Sequence, residues 1–415
     1  MQDDIRSVPS THQADPPPPH VTNHGFKTPE EVAAHDDDTI DMAQEDKPDR
    51  PLMIKPKPKH KFWPPTRKQL IIGGSVIVVI VASAIGGYLT LSHHKHTLVS
   101  NIPKPQHIQK KVVPKPTTVA STLTGLPVNP SANQRPITAV MIENTPYARP
   151  QSGLSQAGVV IEALTEGGIS RFMALFQDQL PTSVGPVRSV RPYFLDWDLG
   201  FDAPLAHDGG SPLALSEIGP LGIKDLNQMY NPGPYTRISS RPSPHNLYAS
   251  LPALVNLEAS KGWTSSNFTG WPRKPDQPSK DPNAANISFD LSYSTYNVNY
   301  SYDSSTNTYN RYVGGAPQID ANTNRQLSPK VVIGMVVPWS EGPLDTSGAY
   351  YSVYQTTGSG QAYVFQDGTL TLGQWNKPTP QSPLSFTTSS GQPLKLNAGQ
   401  TWITAIASNQ DVSYN

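Results

Sequence analysis

The sequence contains no cysteine among its 415 residues. This absence excludes disulfide-stapled scaffolds, thiolate zinc sites, iron–sulfur proteins and cysteine nucleophiles. It also excludes a lipid anchor carried by an N-terminal cysteine. An excess of charge of either sign is missing too, because 32 Lys and Arg residues balance 32 Asp and Glu residues. We therefore expect no general affinity for nucleic acid.

Several catalytic signatures are also absent. The chain has no GxGxxG after a strand, no P-loop, no HExxH and no GxSxG. The sequence thus leaves open whether the protein is an enzyme, and it predicts neither a cofactor nor a resident metal.

Proline is abundant, with 44 residues, while hydrophobic residues make up only 36% of the chain. The first fifty residues hold 12 acidic and four basic side chains and show no apolar period. Such a segment cannot bury enough apolar surface to offset the entropy of ordering. We predict that residues 1–68 form a disordered cytoplasmic tail.

An uncharged apolar run covers residues 70–91. Twenty-two residues at a rise of about 1.5 Å would reach roughly 33 Å, enough to span a bilayer. The alternative is a buried core helix. Lys and Arg number seven in residues 50–69 and four in residues 92–111, which places the N-terminus inside. We predict one transmembrane helix over residues 69–91, with the rest of the chain extracytoplasmic.

The remaining chain divides by composition into four parts. Residues 92–125 are predicted to form a Pro/Lys-rich stalk, residues 126–256 an α/β (α+β) domain, residues 257–285 a connector, and residues 286–415 an all-β-rich domain. Apolar runs predict strands over residues 137–142, 159–164 and 171–176. A helix is predicted over residues 212–221, packed by Leu213, Leu215 and Ile218.

Two histidines, His207 and His245, lie in segments dense with Gly and Pro. His207 begins the motif His-Asp-Gly-Gly-Ser, and His245 precedes Asn246. Candidate catalytic residues are His207, Asp208 and His245. Candidate ligand-binding residues of these loops are Gly209, Gly210, Ser211, His245 and Asn246, since backbone N–H groups that lead into a helix favour an anion. The alternative is a tight turn in which the histidine satisfies a local backbone group.

Arginines supply a second group of candidates. Guanidinium groups bind phosphate or carboxylate through two parallel hydrogen bonds. The candidates are Arg149, Gln151, Arg171, Arg188 and Arg191, accompanied by Glu143, Glu162 and Glu166. The alternative is a structural network in which these arginines pair with the three glutamates.

The motifs together resemble the YerB-like family of bacterial envelope proteins, a two-part domain of unknown function. The matching stretches begin at Arg149 (RPQSGL), Glu166 (EGGISRF), Gly185 (GPVRSVRPY), His207 (HDGGS) and Pro244 (PHNLY). The later half resembles the second domain of the family at residues 358–360, 367–368, 373–375 and 399–403. The resemblance implies a membrane-tethered extracytoplasmic protein and no particular reaction. Two departures are the missing lipoprotein cysteine and Gln318, which stands where the resemblance leads us to expect histidine.

The order of an arginine pair, a His-x-Gly-Gly turn and residues 221–226 (LGIKDL) is also similar to LytR–CpsA–Psr enzymes. These transfer glycopolymers from polyprenyl pyrophosphate.

Three hypotheses follow. The first is an envelope protein of uncharacterised activity that binds an anionic cell-wall glycan or a partner protein through the Arg/His/Gly face. The second is a glycopolymer transferase-like enzyme, in which Arg188 and Arg191, with Mg²⁺ possible only in this case, would neutralise a pyrophosphate. The third is a structural envelope scaffold.

Overall fold

Strands account for most of the regular structure in the residues that a computed structural model describes, 117–344 and 349–415. Up to residue 274 they are β1 (Val119–Ala120), β2 (Pro127–Val128), β3 (Thr138–Glu143), β4 (Val159–Leu164), β5 (Ser170–Phe176), β6 (Pro204–Ala206), β7 (Lys224–Asp225), β8 (Tyr235–Arg237), β9 (Leu247–Ala249) and β10 (Arg273–Lys274).

The later strands are β11 (Asn286–Phe289), β12 (Val298–Asp303), β13 (Thr308–Val313), β14 (Ala316–Pro317), β15 (Ile319–Asp320), β16 (Arg325–Gln326), β17 (Val331–Val336), β18 (Trp339–Leu344), β19 (Tyr350–Tyr354), β20 (Gly358–Gln366), β21 (Thr369–Lys377), β22 (Ser385–Thr388), β23 (Leu396–Asn397), β24 (Thr401–Ile406) and β25 (Val412–Tyr414).

The described residues contain three α-helices, α1 (Pro192–Leu199), α2 (Pro212–Leu221) and α3 (Leu251–Ser260). Short 3-10 helices lie at Pro130–Ala132, Pro146–Ala148, Leu154–Gln156, Glu166–Gly168, Ser294–Tyr296 and Asn409–Asp411. Helix α2 begins where predicted, because Ser211 caps it by accepting a hydrogen bond from the Ala214 N–H and Pro212 occupies its first turn.

A ten-stranded sheet, in the order β22-β21-β20-β17-β24-β4-β5-β3-β6-β7, takes strands from both halves of the sequence. Its middle strands are continuous apolar runs, and every residue of β4 is buried, as expected for strands covered on both faces. Strand β5 is antiparallel to both β3 and β4, and β6 and β7 run parallel to β3. The carboxyl ends of β3, β4, β6 and β7 therefore share one edge of the sheet with the first residues of β5.

Alternate residues of the central strands face two separate hydrophobic clusters. Met141 of β3 packs in one cluster with Phe194 of α1 and Ile218 of α2. The neighbouring Ile142 packs in the other, with Leu254 of α3 and with residues of a second sheet. That second sheet has five strands, in the order β14-β13-β12-β11-β25. The ten-stranded sheet is thus the middle layer.

A buried ion pair joins the two sheets. Glu162 of β4 accepts a hydrogen bond of 2.8 Å from Arg311 Nη2, and neither side chain is exposed. The Arg311 guanidinium lies 4.1 Å from the Trp402 ring centroid. It also donates to the Tyr300 hydroxyl and, over 2.6 Å, to Gln318 Oε1. Every side of the charge therefore has an aromatic face or a hydrogen-bond acceptor.

The prediction of an α/β (α+β) first half followed by an all-β-rich domain is wrong. The described residues are predominantly β, and their three α-helices have only eight to ten residues. Strands β4 and β5 are joined by residues 165–169, too few for a crossover helix, so they pair as an antiparallel hairpin. Proline and glycine at Pro146, Pro150, Gly153 and Gly158 restrict the link between β3 and β4 to 3-10 turns.

No helix within residues 117–344 and 349–415 is long and apolar enough to cross a membrane. The residues predicted to form the single N-terminal transmembrane helix, 69–91, lie outside the described ranges, as do the predicted tail and most of the predicted stalk.

Helix α2 also differs from the prediction in the side that it buries. Ala214 and Ile218 are buried, whereas Leu213 and Leu215 are 58% and 41% exposed. The prediction that both leucines pack the helix is wrong, because the helix turns Ala214 and Ile218, which are four residues apart and so share one face, toward the core and leaves the two neighbours of Ala214 facing outward.

Arg311→Met should lower the free energy of unfolding by about 3–5 kcal/mol, since it leaves Glu162 buried without its counter-charge. Adding Glu162→Leu should restore part of that loss. Urea denaturation measures both, with the exposed Arg325→Met as a control expected to change stability by about 0.5 kcal/mol or less. A loss below about 1 kcal/mol for Arg311→Met would show that the pair does not hold the sheets together.

Candidate functional site

The shared carboxyl edge of β3, β6 and β7 gathers most of the candidate residues. Glu143 ends β3 and stands opposite Arg171, near the start of β5. The Arg188 N–H donates to the Met141 carbonyl of β3 over 3.0 Å. The Asp208 N–H, just beyond β6, donates to the Arg188 carbonyl over 3.2 Å. Backbone pairing therefore places Glu143, Arg171, Arg188 and the loop that follows His207 side by side.

Three arginines form a cluster at this edge, Arg171, Arg188 and Arg191. Arg191 is fully paired, since its guanidinium binds both carboxylate oxygens of Glu166. Arg171 is 6% exposed and donates to the Ser189 carbonyl over 2.7 Å, but its buried Nε has no hydrogen-bond partner. Burial, and then the charges of Arg191 and Arg188, lower the pKa of Arg171 to about 9. The cluster thus carries uncompensated positive charge.

Arg188 is the most available member of the cluster. Its side chain is 22% exposed, and its Nε lies 3.6 Å from Glu143 Oε2, too far for a hydrogen bond. Among the described residues its guanidinium donates no hydrogen bond. A guanidinium that reaches solvent with its donors unused can receive an oxyanion.

A carboxylate–imidazole pair lies beside Arg188. Glu143, 1% exposed, accepts from His245 Nδ1 at 2.8 and 3.0 Å and from the Thr145 hydroxyl at 2.8 Å. The Tyr147 ring lies 5.4 Å from the His245 ring. Because Nδ1 donates to Glu143, a neutral His245 has its lone pair on Nε2. That nitrogen makes no hydrogen bond within the described residues, so the pair can exchange a proton with a bound group.

His207, in contrast, is wholly buried and has both ring nitrogens in use. Nδ1 is 2.7 Å from the Gly209 carbonyl oxygen, and Nε2 is 2.9 Å from Asp225 Oδ1. Burial raises the pKa of Asp225, but its hydrogen bonds to His207 and to the Asn227 N–H outweigh burial and lower the pKa overall. Both ring nitrogens of His207 are therefore engaged in holding the loop that follows it.

The residues after His207 hold the loop against the arginine segment. Asp208 pairs with Arg237 at 3.2 Å. Gly210 forms a bridge with Val190, where a Cβ would come within 2.9 Å of a Val190 methyl group. Gly209 has a φ of +64° and donates to Asn227. Asn246 accepts from Arg237 over 3.1 Å.

The other candidates have structural partners or line a different cleft. Arg149 donates to Asn144 and to the Thr295 carbonyl, and it lines a separate cleft of about 790 Å³ beside β14. Gln151 is buried and donates to the Glu143 carbonyl and to Asn144. Glu162 lies in the interior with Arg311. The structure therefore brings together Glu143, Arg171, Arg188, Arg191, Glu166, Asp208, Gly209, Gly210 and His245.

Sequence reasoning missed Arg237, Asn227, Tyr147 and the interior Arg311. One signal pointed to Arg311, because it alternates with Tyr309 and Val313, which face inward on the same strand. No comparable pattern marked the other three, which lie in short turns or in a strand of three residues.

Within residues 117–344 and 349–415, no three His, Asp or Glu side chains converge in a way that could hold a metal ion. The edge itself presents the cationic cluster and the His245–Glu143 pair.

Two protein-family models match the chain. They are described as "Protein of unknown function (DUF3048) N-terminal domain", over residues 123–264, and the corresponding C-terminal domain, over residues 287–403. The chain therefore belongs to this two-part YerB-like family, and the resemblance found in the sequence is confirmed.

Individual relatives agree with this assignment. The chain is 30% identical over 303 residues to a Bacillus subtilis (strain 168) protein named "Putative lipoprotein YerB", an alignment that covers 72% of this chain and 89% of the relative. It is also similar to the crystal structure of YerB from Bacillus subtilis, with a TM-score of 0.63 and 29% identity over 72% of this chain and 99% of that one.

Arg191→Ala should lower the free energy of unfolding by about 1–3 kcal/mol, because it leaves the largely buried Glu166 carboxylate without its donors. Arg188→Ala should change it by about 0.5 kcal/mol or less, since no hydrogen bond is lost. Urea unfolding of the two variants compares them directly. Equal losses would mean that Arg188 belongs to a structural arginine–glutamate network.

Proposed function

We propose that this chain is an extracytoplasmic, membrane-associated envelope protein that binds an anionic ligand at Arg171, Arg188 and His245. The observation that carries the proposal is the unused donor capacity of two neighbouring guanidinium groups, one of them buried. Burying a charged donor without an acceptor costs free energy that an oxyanion in this position would recover.

The electrostatics of the edge favour the same ligand. Arg171 is crowded by two like charges, and Glu166 is already engaged by Arg191. An anion between Arg171 and Arg188 would relieve this repulsion. The His245 imidazole, when protonated, would add a third donor. Phosphate and pyrophosphate suit two neighbouring guanidinium groups better than a single carboxylate does, because they offer more acceptor oxygens.

The cellular location is proposed from the family. The relative described above is named a lipoprotein, which favours a position outside the cytoplasmic membrane and attached to it. In that compartment, phosphate-bearing cell-wall glycans are the ligands whose chemistry best matches the site. A partner protein that presents an acidic or phosphorylated group is the other source of the same anion.

Inorganic pyrophosphate is the probe for the anion site. Titration calorimetry with the full chain should show binding, and Arg188→Ala should weaken it at least about tenfold, the usual effect of losing a charge-assisted hydrogen bond. The pyrophosphate affinity of Arg188→Lys should lie between those of the wild type and Arg188→Ala, because lysine keeps the positive charge but loses the paired donors of the guanidinium group. The exposed Arg325→Ala, remote in sequence, is the matched control.

High salt should weaken binding to the wild-type protein, since the site is partly exposed. Identical dissociation constants for wild type, Arg188→Ala and Arg325→Ala would overturn the proposal.

A second candidate function, a transferase acting on a polyprenyl-pyrophosphate-linked glycan, is favoured by one observation. The buried Glu143 accepts from His245 Nδ1, which leaves Nε2 without a partner among the described residues, an arrangement suited to general acid–base catalysis. In this function Arg171 and Arg188 would stabilise the leaving pyrophosphate, with Mg²⁺ sharing that charge.

His245→Gln should then reduce release of the prenyl pyrophosphate by about 10²- to 10⁴-fold, far more than it weakens pyrophosphate binding, because glutamine keeps a hydrogen-bond donor but cannot exchange a proton. The measurement is product release from a polyprenyl-pyrophosphate-linked glycan, with and without Mg²⁺. An unchanged rate in His245→Gln, or no turnover by the wild type, would exclude this function and leave the binding proposal intact.

A further inference from the structure

Large apolar side chains are exposed on segments that contact the loops of the anion site. We name as the apolar rim Tyr147, Leu213, Leu215, Met229 and Tyr230, which are 74%, 58%, 41%, 67% and 78% exposed. They are five of the thirteen exposed large hydrophobic residues in the part of the chain that the structure describes. Single exposed apolar residues are ordinary, but a group of them at one site marks a binding surface.

Backbone, side-chain and ring contacts tie three members of the rim, Tyr147, Leu215 and Met229, to the loops of the anion site. Tyr147 lies against the His245 ring. Leu215 is the nearest side chain, after Val190, to the position that a Gly210 Cβ would occupy, at 3.1 Å. The Met229 N–H and the Gly209 N–H both donate to Asn227 Oδ1, at 3.1 and 3.3 Å.

The exposure of the two leucines contradicts the usual pattern of a surface helix. Helix α2 buries the small Ala214 and presents Leu213 and Leu215 to solvent in its first turn, although the opposite choice would bury more apolar area. Positions where a sequence departs from the usual pattern of buried apolar and exposed polar residues are concentrated at functional sites. The first turn of α2 is also where the loop Gly209–Gly210–Ser211 leaves the arginine cluster.

We infer that the ligand of the proposed anion site is amphipathic, with a phosphate or pyrophosphate head between Arg171 and Arg188 and an apolar tail across the apolar rim. This inference rests on the proposed function and adds the class of ligand. A hydrophilic anion would use the arginines and His245 but leave the rim exposed. A lipid-linked phosphate would cover both surfaces at once, which matches their adjacency.

The same chemistry has two sources, a discrete isoprenoid phosphate and the anionic headgroups of a bilayer. The rim favours the first, because its members flank a partly buried guanidinium rather than a broad cationic plane, and Arg171 is too deep to reach a flat membrane surface. The experiment distinguishes the two sources.

Three probes are compared by titration against the full chain: inorganic pyrophosphate, farnesyl pyrophosphate below its micelle concentration, and phosphatidylglycerol vesicles. Farnesyl pyrophosphate should bind at least about tenfold more tightly than pyrophosphate, as burial of a modest apolar area requires. The double variant Leu213→Ser/Met229→Ser should remove this advantage and leave pyrophosphate affinity unchanged. Arg188→Ala should weaken both soluble probes.

The outcomes separate the two proposals. Equal affinities for pyrophosphate and farnesyl pyrophosphate, or an advantage that survives Leu213→Ser/Met229→Ser, would overturn the amphipathic ligand while the anion site stands. If neither soluble probe binds the wild-type protein, or if Arg188→Ala does not weaken their binding, the proposed function itself is overturned. Rim-dependent binding to vesicles alone would assign the tail to a bilayer and overturn the discrete ligand. Retained pyrophosphate affinity shows that the double variant is folded.

Discussion

The buried pair of Glu162 and Arg311 is the constraint on which the two-sheet arrangement depends. A charge in this interior is tolerable only when every donor meets an acceptor, and the acceptors for Arg311 come from β4, β12 and the loop at Gln318. Gln318 accepts from Arg311 and donates to Gln151 over 3.1 Å. A neutral histidine also offers one acceptor and one donor, so glutamine in place of the expected histidine keeps the same link between the halves.

The arginines of the molecule show two uses of one functional group. Arg311, Arg191, Arg149 and Arg241 have their guanidinium donors met by carboxylates, amides or backbone carbonyls, and they hold elements together. Arg171 and Arg188 have comparable burial or proximity to a carboxylate but keep unpaired donors. A fold that satisfies a buried charge as fully as it does for Arg311 does not need unpaired donors a short distance away, and this contrast is the strongest physical reason to assign them to a ligand.

Local structure was predictable where a single physical preference dominates. The apolar run of β4 and the capped start of α2 follow directly from burial and capping. The order of the strands in the ten-stranded sheet was not predictable, because β24 pairs with β4 across 242 residues (Thr401 with Val159) and with β17 across 70 (Thr401 with Val331), which no local pattern encodes. The outward leucines of α2 were missed because periodicity assumes that apolar area is buried against the protein itself. The pairing of Arg191 with Glu166 is the kind of contact that the structural-network alternative expects, whereas a ligand site at Arg188 stays a prediction.

The two histidines show why sequence alone could not divide roles within the site. Both stand in loops rich in glycine or proline, and both neighbour a carboxylate in the folded chain. His207 follows β6 directly, so its ring points into the interior and is held between Gly209 and Asp225. His245 reaches Glu143 from a loop on the other side of the edge, where one ring nitrogen stays available to a bound group. Strand direction, which brings the end of β3 beside both loops, decides that difference, and with it which histidine keeps a ring nitrogen without a partner among the described residues.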